Sequence, residues 1–256
     1  MIDIDAYLDR ISYQESIQND FETLTALQRH HLLNVPFENL DIHWGNQIQL
    51  EVDHLFDKII KQNRGGFCYE LNGLFGALLD TLGFKTRYIS ARVYGEDNQN
   101  YSPEFDHLAI IVTLDDTEWL VDVGFGEFTF GPLKLHYDAA QEDERGTYRI
   151  IEASGSFPCI VQRQAPKGSW KPEYRFNPNA QNIANFEKRC HFHQTSDESH
   201  FRQKKICSLP TESGRYTLTD RNLKITDGDM TREQPVNSES EFDQLLRTYF
   251  GIHTPD

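Results

Sequence analysis

The sequence predicts an α+β chain in three parts. Three observations carry this: helical periodicity up to about residue 84, short β-branched and aromatic runs from about 85 to 188, and a last stretch that mixes a hairpin with a helix. No internal repeat, low-complexity run or obvious linker interrupts the pattern. At 256 residues the chain can bury a substantial core.

The elements follow in order. In DIDAYLDRI, Ile4, Tyr7, Leu8 and Ile11 recur at three-four spacing. A second helix holds Leu24, Leu27 and Leu32 and must end before Pro36. A third carries Val52, Leu55, Phe56, Ile59 and Ile60 on one side. The fourth is RGGFCYELNGLFGALLDTLGF, residues 64–84, where Leu71, Leu74, Phe75, Leu78, Leu79 and Leu82 form one stripe and Gly83 suits the C-terminal cap. TRYISARV, HLAIIVTL, WLVDVGF, TYRIIEA and CIVQ read as strands of a small barrel or sandwich, with Cys159 a core residue of the last. YTLTDRNLKIT reads as a hairpin. SESEFDQLLRTYFG reads as a helix with a capping box, Ser238 with Glu241, closed by Gly251.

The net charge of −15 argues against nucleic acid, whose binders carry a basic face, and against anionic membrane surfaces. No apolar run is long enough to span a bilayer, and MIDIDAYLDRISYQ lacks the basic-then-apolar order of a signal peptide. Four cysteines are too sparse for a disulfide scaffold, so a cytoplasmic protein is expected.

Cys68 is the first candidate functional residue. It shares the buried stripe three residues before Leu71 and sits in the opening turn of its helix. Unpaired N–H groups and the dipole there favour an anion, which would lower a thiol pKa and could hold an oxyanion. Free cysteine usually only packs, so position alone does not decide between core and nucleophile. Gly65 and Gly66 favour the nucleophile, because paired glycines allow close approach of a ligand to the backbone.

A nucleophile needs a base, and the base an orienter. His30, His31, His43 and His54 fall in polar or helical surroundings. His107, by contrast, opens the apolar strand HLAIIVTL, and Asp122 interrupts WLVDVGFG. A turn at Asp115-Asp116 would set Leu114 opposite Thr117 and Asp122 opposite Ala109, on the face of His107 and diagonal to it. Diagonal neighbours lie about 7–8 Å apart at their backbones, within reach of a His–Asp bond. A structural His–Asp pair and a thiol acyl-transfer triad both satisfy this pattern; Cys68 tips it towards the triad.

At this point the chain resembles the arylamine N-acetyltransferase family, of the short bacterial type. The marks run in order: HLLNVPFENLDIHWG at 31–45, RGGFCYELN at 64–72, DHLAIIV at 106–112, LVDVGFGE at 120–127 and SHFRQKKIC at 199–207. They run from residue 31 to residue 207, about seven tenths of the chain. The resemblance implies a three-domain fold with a cysteine-protease-like core: a helical bundle over 1–84 carrying the cysteine, a β-barrel over 85–188 carrying His107 and Asp122, and an α/β lid over 189–256. It implies that Cys68 takes an acetyl group from acetyl-CoA, with His107 as base and Asp122 as orienter. An arylamine, arylhydrazine or N-hydroxyarylamine then attacks the thioester in a ping-pong cycle, a chemistry of xenobiotic metabolism. Gly124, Phe125 and Gly126 match a loop lining the active-site cleft, and Phe37 and Phe201 match aromatic positions of the acceptor pocket. Glu38 and Arg64 match a charged pair supporting the cysteine's surroundings. WGNQIQL departs from the family after LDIH, where a basic or proline residue is expected. The acidic balance offers no obvious clamp for the CoA phosphates, so backbone donors and a few local Arg or Lys residues are expected instead. Small-molecule acceptors and coenzyme A are the implied partners, with a monomer or weak homo-oligomer and no nucleic acid or membrane.

The same triad would serve a thiol hydrolase, a transglutaminase-like enzyme or an aryl amide synthase. A metal module is the non-enzymatic alternative, since Cys190, His191, His193, His200 and Cys207 cluster in CHFHQTSDESHFRQKKIC. Their spacing does not match paired zinc-ligand patterns, and no metal is expected.

Overall fold

The computed structural model describes residues 2–255; residues 1 and 256, the outer limits of the first and third expected domains, lie outside them. The first part contains α1 (Ile4–Arg10), α2 (Phe21–Asn34), the short strand β1 (Phe37–Glu38), α3 (Leu40–Trp44), α4 (Val52–Phe56) and α5 (Cys68–Thr81). The apolar stripes predicted from three-four spacing meet in one core, where Tyr7, Ile11, Leu24, Leu27, Ile59, Leu74 and Leu78 are fully buried. Each such side chain contributes roughly 1.5–3 kcal/mol. Gly83 takes a left-handed φ of 89° just past α5, as a cap there requires. The expected third helix is split: α4 passes into a π-helical turn at Asp57–Lys61, which still buries Ile59 and Ile60.

The middle part is a nine-stranded sheet: β2 (Lys85–Gly95), β3 (Asn100–Tyr101), β4 (His107–Leu114), β5 (Thr117–Val121), β6 (Leu133–Lys134), β7 (Gln141–Asp143), β8 (Gly146–Glu152), β9 (Cys159–Gln164) and β10 (Trp170–Phe176). Its order is β6-β5-β4-β2-β10-β9-β8-β7, with β3 paired to β2. The edge strands β7 and β6 are joined by a side chain. Gln141 accepts from the Lys134 N–H at 2.7 Å and donates to the Lys134 carbonyl at 3.0 Å, curling the sheet into a barrel. Alternate residues fill the interior, among them Ile89, Ala109, Ile111, Ile150, Cys159 and Phe176. The opposite face of β4 and β5 turns Ile110, Val112 and Val121 onto the helical core, so α5 lies against the barrel wall.

The strands β3, β6, β7 and β10 are additional to the five expected ones, and one expected strand is shortened. Pairing of WLVDVGF stops at Val121, because the next backbone donors are taken by side chains. The Val123 N–H donates to Asn72 Oδ1 at 2.9 Å and the Gly124 N–H to Asp122 Oδ1 at 2.9 Å. The strand β10 is not expected from WKPEYRF, where a proline argues against a ladder; Pro172 sits at the register shift between β10 and β9.

The last part holds α6 (Glu187–Thr195), α7 (His200–Gln203), β11 (Ile206–Pro210), β12 (Gly214–Thr219), β13 (Asn222–Asp227), β14 (Met230–Pro235) and α8 (Glu239–Phe250). The expected hairpin is β12–β13, with Leu218 opposite Leu223. Its sheet is completed by β1 from the first part, Phe37 pairing with Ser208 and Glu38 with Cys207. Ser238 caps α8 by accepting from the Glu241 N–H at 3.1 Å, and Gly251 closes it with a φ of 65°. The reciprocal half of the expected capping box is displaced by one residue: Glu241 accepts from the Asn237 N–H at 2.8 Å, not from Ser238.

Candidate active site

Cys68 stands where the segment 64–67 turns into α5. Glu70 reaches back to accept from the Phe67 N–H at 3.1 Å, satisfying one of the unpaired donors of the first turn. The segment runs beside β1: the Glu38 N–H donates to the Gly66 carbonyl at 2.8 Å. A Cβ on Gly65 would lie 1.9 Å from the Pro36 carbonyl oxygen, and one on Gly66 would lie 2.7 Å from Glu70 Cβ. Gly65 is therefore set by the approach of the Pro36 backbone, and Gly66 by the Glu70 side chain that folds back over it.

His107 begins β4 on the interior face, two residues before Ala109. The β4–β5 register is the expected one, Leu114 opposite Thr117 through Ile110 opposite Val121. Asp122 follows directly, and His107 Nε2 donates to its Oδ2 at 2.6 Å. This places the proton on Nε2 and leaves Nδ1 as the acceptor nitrogen. Asp122 receives three further donors: the Tyr174 hydroxyl at 3.1 Å, Asn72 Nδ2 at 2.8 Å and the Gly124 N–H at 2.9 Å. A carboxylate so surrounded is held in one orientation. The imidazole is flanked by the rings of Phe125 and Tyr174, each with its centroid 5.2 Å away.

Cys68 and His107 open onto one cavity of about 300 Å³, shared with Phe37, Gly124, Phe125 and Phe201. The Phe201 ring lies 6.1 Å from that of Phe37 and 5.6 Å, edge-on, from that of Phe67. Gly124 lies against the helix; a Cβ there would sit 2.7 Å from Cys68 Cα. Gly126 does not line the cavity. Its carbonyl turns outward and accepts from Arg215 Nη2 at 2.8 Å.

Burial pushes the Cys68 thiol well above its ordinary range; the Leu108 N–H pulls it down, and Asp106 and Asp122 add to the rise. This corrects the expectation of a thiol pKa lowered by the helix N-terminus, since loss of solvation outweighs the dipole here. A lone thiolate is disfavoured. Ionisation then requires the proton to pass to a neighbouring base, giving an ion pair.

Glu38 and Arg64 pair as expected, Arg64 donating to Glu38 Oε1 from Nη2 at 2.7 Å and from Nε at 3.0 Å. They belong to a larger buried network. Arg64 also donates to Asp41 Oδ1 at 3.1 Å, and Lys58 bridges Asp41 at 2.6 Å and Glu70 at 2.7 Å. Three carboxylates thus face two cations. Burial, opposed by Lys58 and reinforced by Glu38 and Asp41, raises Glu70 from 4.5 to about 7.

Sequence reasoning singles out neither Asn72 nor Tyr174. The available signal for Asn72 is a polar residue one turn after Cys68, set between Leu71 and Gly73 in the buried stripe. Tyr174 offers none, because its strand is not predicted. The cysteine-histidine stretch disperses instead of converging. His193 bonds Asp106 at 3.0 Å and Ser199 at 3.0 Å, Cys190 accepts from Gln194, and Cys207 lies in the core beneath α8. Among the described residues no group of three or more His, Cys, Asp or Glu is arranged to hold a metal ion, and all four cysteines are free. Among the same residues no helix is long and apolar enough to cross a membrane.

The N-acetyltransferase family model matches residues 20–255. The chain is 33% identical to human arylamine N-acetyltransferase 1, over 98% of this chain and 94% of that one. It belongs to the arylamine N-acetyltransferase family. Solved structures of the family superpose closely. The Salmonella typhimurium enzyme has a TM-score of 0.90 at 30% identity, over 99% of this chain and 92% of that one. The Bacillus cereus enzyme, described as having a Cys-His-Glu catalytic triad, has a TM-score of 0.92 at 25% identity, over 99% of this chain and all of its own. The helices, barrel and mixed last part are accordingly the three-domain fold of arylamine N-acetyltransferases, and the chain is an acyltransferase of that family.

Proposed function

We propose that the chain transfers an acetyl group from acetyl-CoA to the nitrogen of arylamines, arylhydrazines or N-hydroxyarylamines, in a ping-pong cycle through an acetyl-cysteine at Cys68. The observation that carries this reading is one cavity onto which both Cys68 and the Asp122-bound imidazole of His107 open.

His107 Nδ1 accepts the Cys68 proton, and the resulting imidazolium is stabilised through Nε2 by Asp122. The thiolate attacks the acetyl carbonyl, its oxyanion lying near the first N–H groups of α5. The C–S bond to coenzyme A breaks, and His107 returns the proton to the departing sulfur. An amine then attacks the thioester carbonyl, His107 takes the amine proton, and Cys68 leaves and is reprotonated. An anilinic nitrogen keeps its lone pair at neutral pH, and a flat ring suits the space between Phe37, Phe125 and Phe201. The Cys-His-Glu triad described for the Bacillus cereus relative supports an acidic orienter at position 122.

Intact-mass spectrometry after mixing the protein with acetyl-CoA tests this directly. A single acetyl on the wild type and none on Cys68→Ala, discharged by an arylamine, is expected. An unmodified wild type whose thiol still alkylates would reject acetyl-CoA as donor.

A further inference from the structure

The stretch CHFHQTSDESHFRQKKIC, which the triad leaves unused, builds a second polar array beside the cavity. His193 on α6 lies with Nε2 3.0 Å from Asp106 Oδ1 and with Nδ1 3.0 Å from Ser199 Oγ. Burial would raise Asp106, but bonds from His193 and Ser102 and the charge of Arg189 hold it well below the ordinary carboxylate range. An ionised carboxylate only accepts, so Nε2 is the donor. Arg189, one turn earlier on α6, donates from Nε to the same oxygen at 2.5 Å.

Both ends of this array reach the cavity. Asp106 lines it and directly precedes His107. The backbone at Asp106 is tied to α5, because the hydroxyl of Tyr69, the residue after Cys68, donates to the Phe105 carbonyl at 2.8 Å and to the Asp106 carbonyl at 3.2 Å. At the other end Ser199 caps α7, accepting from the Phe201 N–H at 3.3 Å. The His193 ring also meets the Phe201 ring edge-on, with centroids 5.1 Å apart. His193 thus joins the segment fixed to Cys68 and His107 with the aromatic wall carried by the last part of the chain.

The order of bonds, hydroxyl to imidazole to carboxylate, is that of a nucleophile triad. Ser199 and His193 are each 1% exposed, however, and the Ser199 oxygen is committed to the Phe201 N–H. No substrate reaches that hydroxyl, so the array holds groups in place and does not react.

We propose that His193 is a positioning residue of the acceptor step: through Asp106 and Ser199 it holds the Phe201 ring at a fixed place relative to Cys68 and His107. The assignment rests on the two-step reading above, in which the arylamine lies between Phe37, Phe125 and Phe201.

The two half-reactions, measured separately on the full chain with 4-methoxyaniline as acceptor, test this. His193→Ala should raise the acceptor KM about fivefold. That is less than the loss of the Phe201 ring itself, because Asn39 and His43 still donate to the Phe201 carbonyl, at 2.8 and 3.0 Å. Single-turnover acetylation of Cys68 should change by about twofold or less, since no bond to Cys68 or His107 is removed. Placed on top of Phe201→Ala, His193→Ala should scarcely raise the KM further, the non-additivity of residues that act through one another. Ser199→Ala is a smaller change expected to act in the same direction, and it decides the matter should His193→Ala fail to fold. Equal slowing of both half-reactions, an unchanged KM in the folded variants, or full additivity with Phe201→Ala would overturn the inference. Calorimetric binding of 4-methoxyaniline to the unacetylated protein separates this inference from the reading it rests on. If the wild type takes no acetyl from acetyl-CoA, yet binds the amine more tightly than His193→Ala does, the positioning role stands and the donor falls. Equal binding by wild type and variants overturns the positioning role whatever the donor.

Discussion

Asn72, one helical turn beyond Cys68, donates to both the Leu108 carbonyl at 2.7 Å and Asp122 Oδ1 at 2.8 Å. Its own oxygen accepts from the Val123 N–H at 2.9 Å. A single amide thus fastens the helix of the cysteine to the strand of the histidine and the loop of the aspartate. Asn72→Ala leaves a buried carbonyl, a buried N–H and a carboxylate oxygen short of partners. A loss of about 1–3 kcal/mol is expected. Thermal unfolding should register it at about 2–4 °C per kcal/mol. Acetylation of Cys68 should slow by more than the stability loss accounts for, measured at a temperature where the variant is fully folded.

Asp122→Asn keeps the shape of the side chain but presents an amide to the imidazole, favouring the wrong tautomer. The rate of Cys68 acetylation is expected to fall by roughly 10³–10⁴-fold, as in serine triads. Rapid-quench mass spectrometry would measure it. A loss under tenfold would remove Asp122 from the orienting role.

Phe201 meets both Phe37 and Phe67 edge-on or tilted at the cavity wall. Phe201→Ala should raise the KM for an arylamine acceptor about tenfold, the effect of losing about 1.4 kcal/mol of ring contact. Single-turnover formation of the acetyl-cysteine should change much less. Equal changes in both half-reactions would mean that Phe201 shapes the whole cavity and not the acceptor subsite.

Glu70 gives a pH signature with a definite sign. Its folded pKa is raised from 4.5 to about 7, so between those values the native state keeps a proton that the unfolded chain has released. On this group alone, stability falls as pH rises through that window. The fall is at most about 1.4 kcal/mol for each pH unit crossed, and less where Lys58 titrates with it. Glu70→Gln retains an oxygen for the Phe67 N–H but cannot titrate. Relative to wild type, its melting temperature should therefore improve as the pH is raised from 4.5 to 7. A difference that stays constant over that range would place the shared proton on another carboxylate of the network.

Much of this was legible locally. The α5 stripe from Leu71 to Leu82, the β4–β5 register and the Ser238 and Gly251 ends of α8 each depend on residues a few positions apart, so periodicity and cap chemistry suffice to read them. The same parity argument places His107 and Asp122 on one face from the residue spacing alone. Legibility ended where a partner lies far along the chain. WLVDVGF looks like a strand to its end, but Asn72, far back on α5, takes the Val123 N–H just past the last paired residue, Val121. Burial decided the rest. Only the folded chain sets Glu38, Asp41, Lys58, Arg64 and Glu70 together away from water, and only there does desolvation lift the Cys68 thiol against the helix dipole. The sequence by itself determined which residues could do this chemistry. The tertiary structure decided which of them share a cavity and a proton, because long-range pairing and loss of water are properties of the packed molecule and not of spacing.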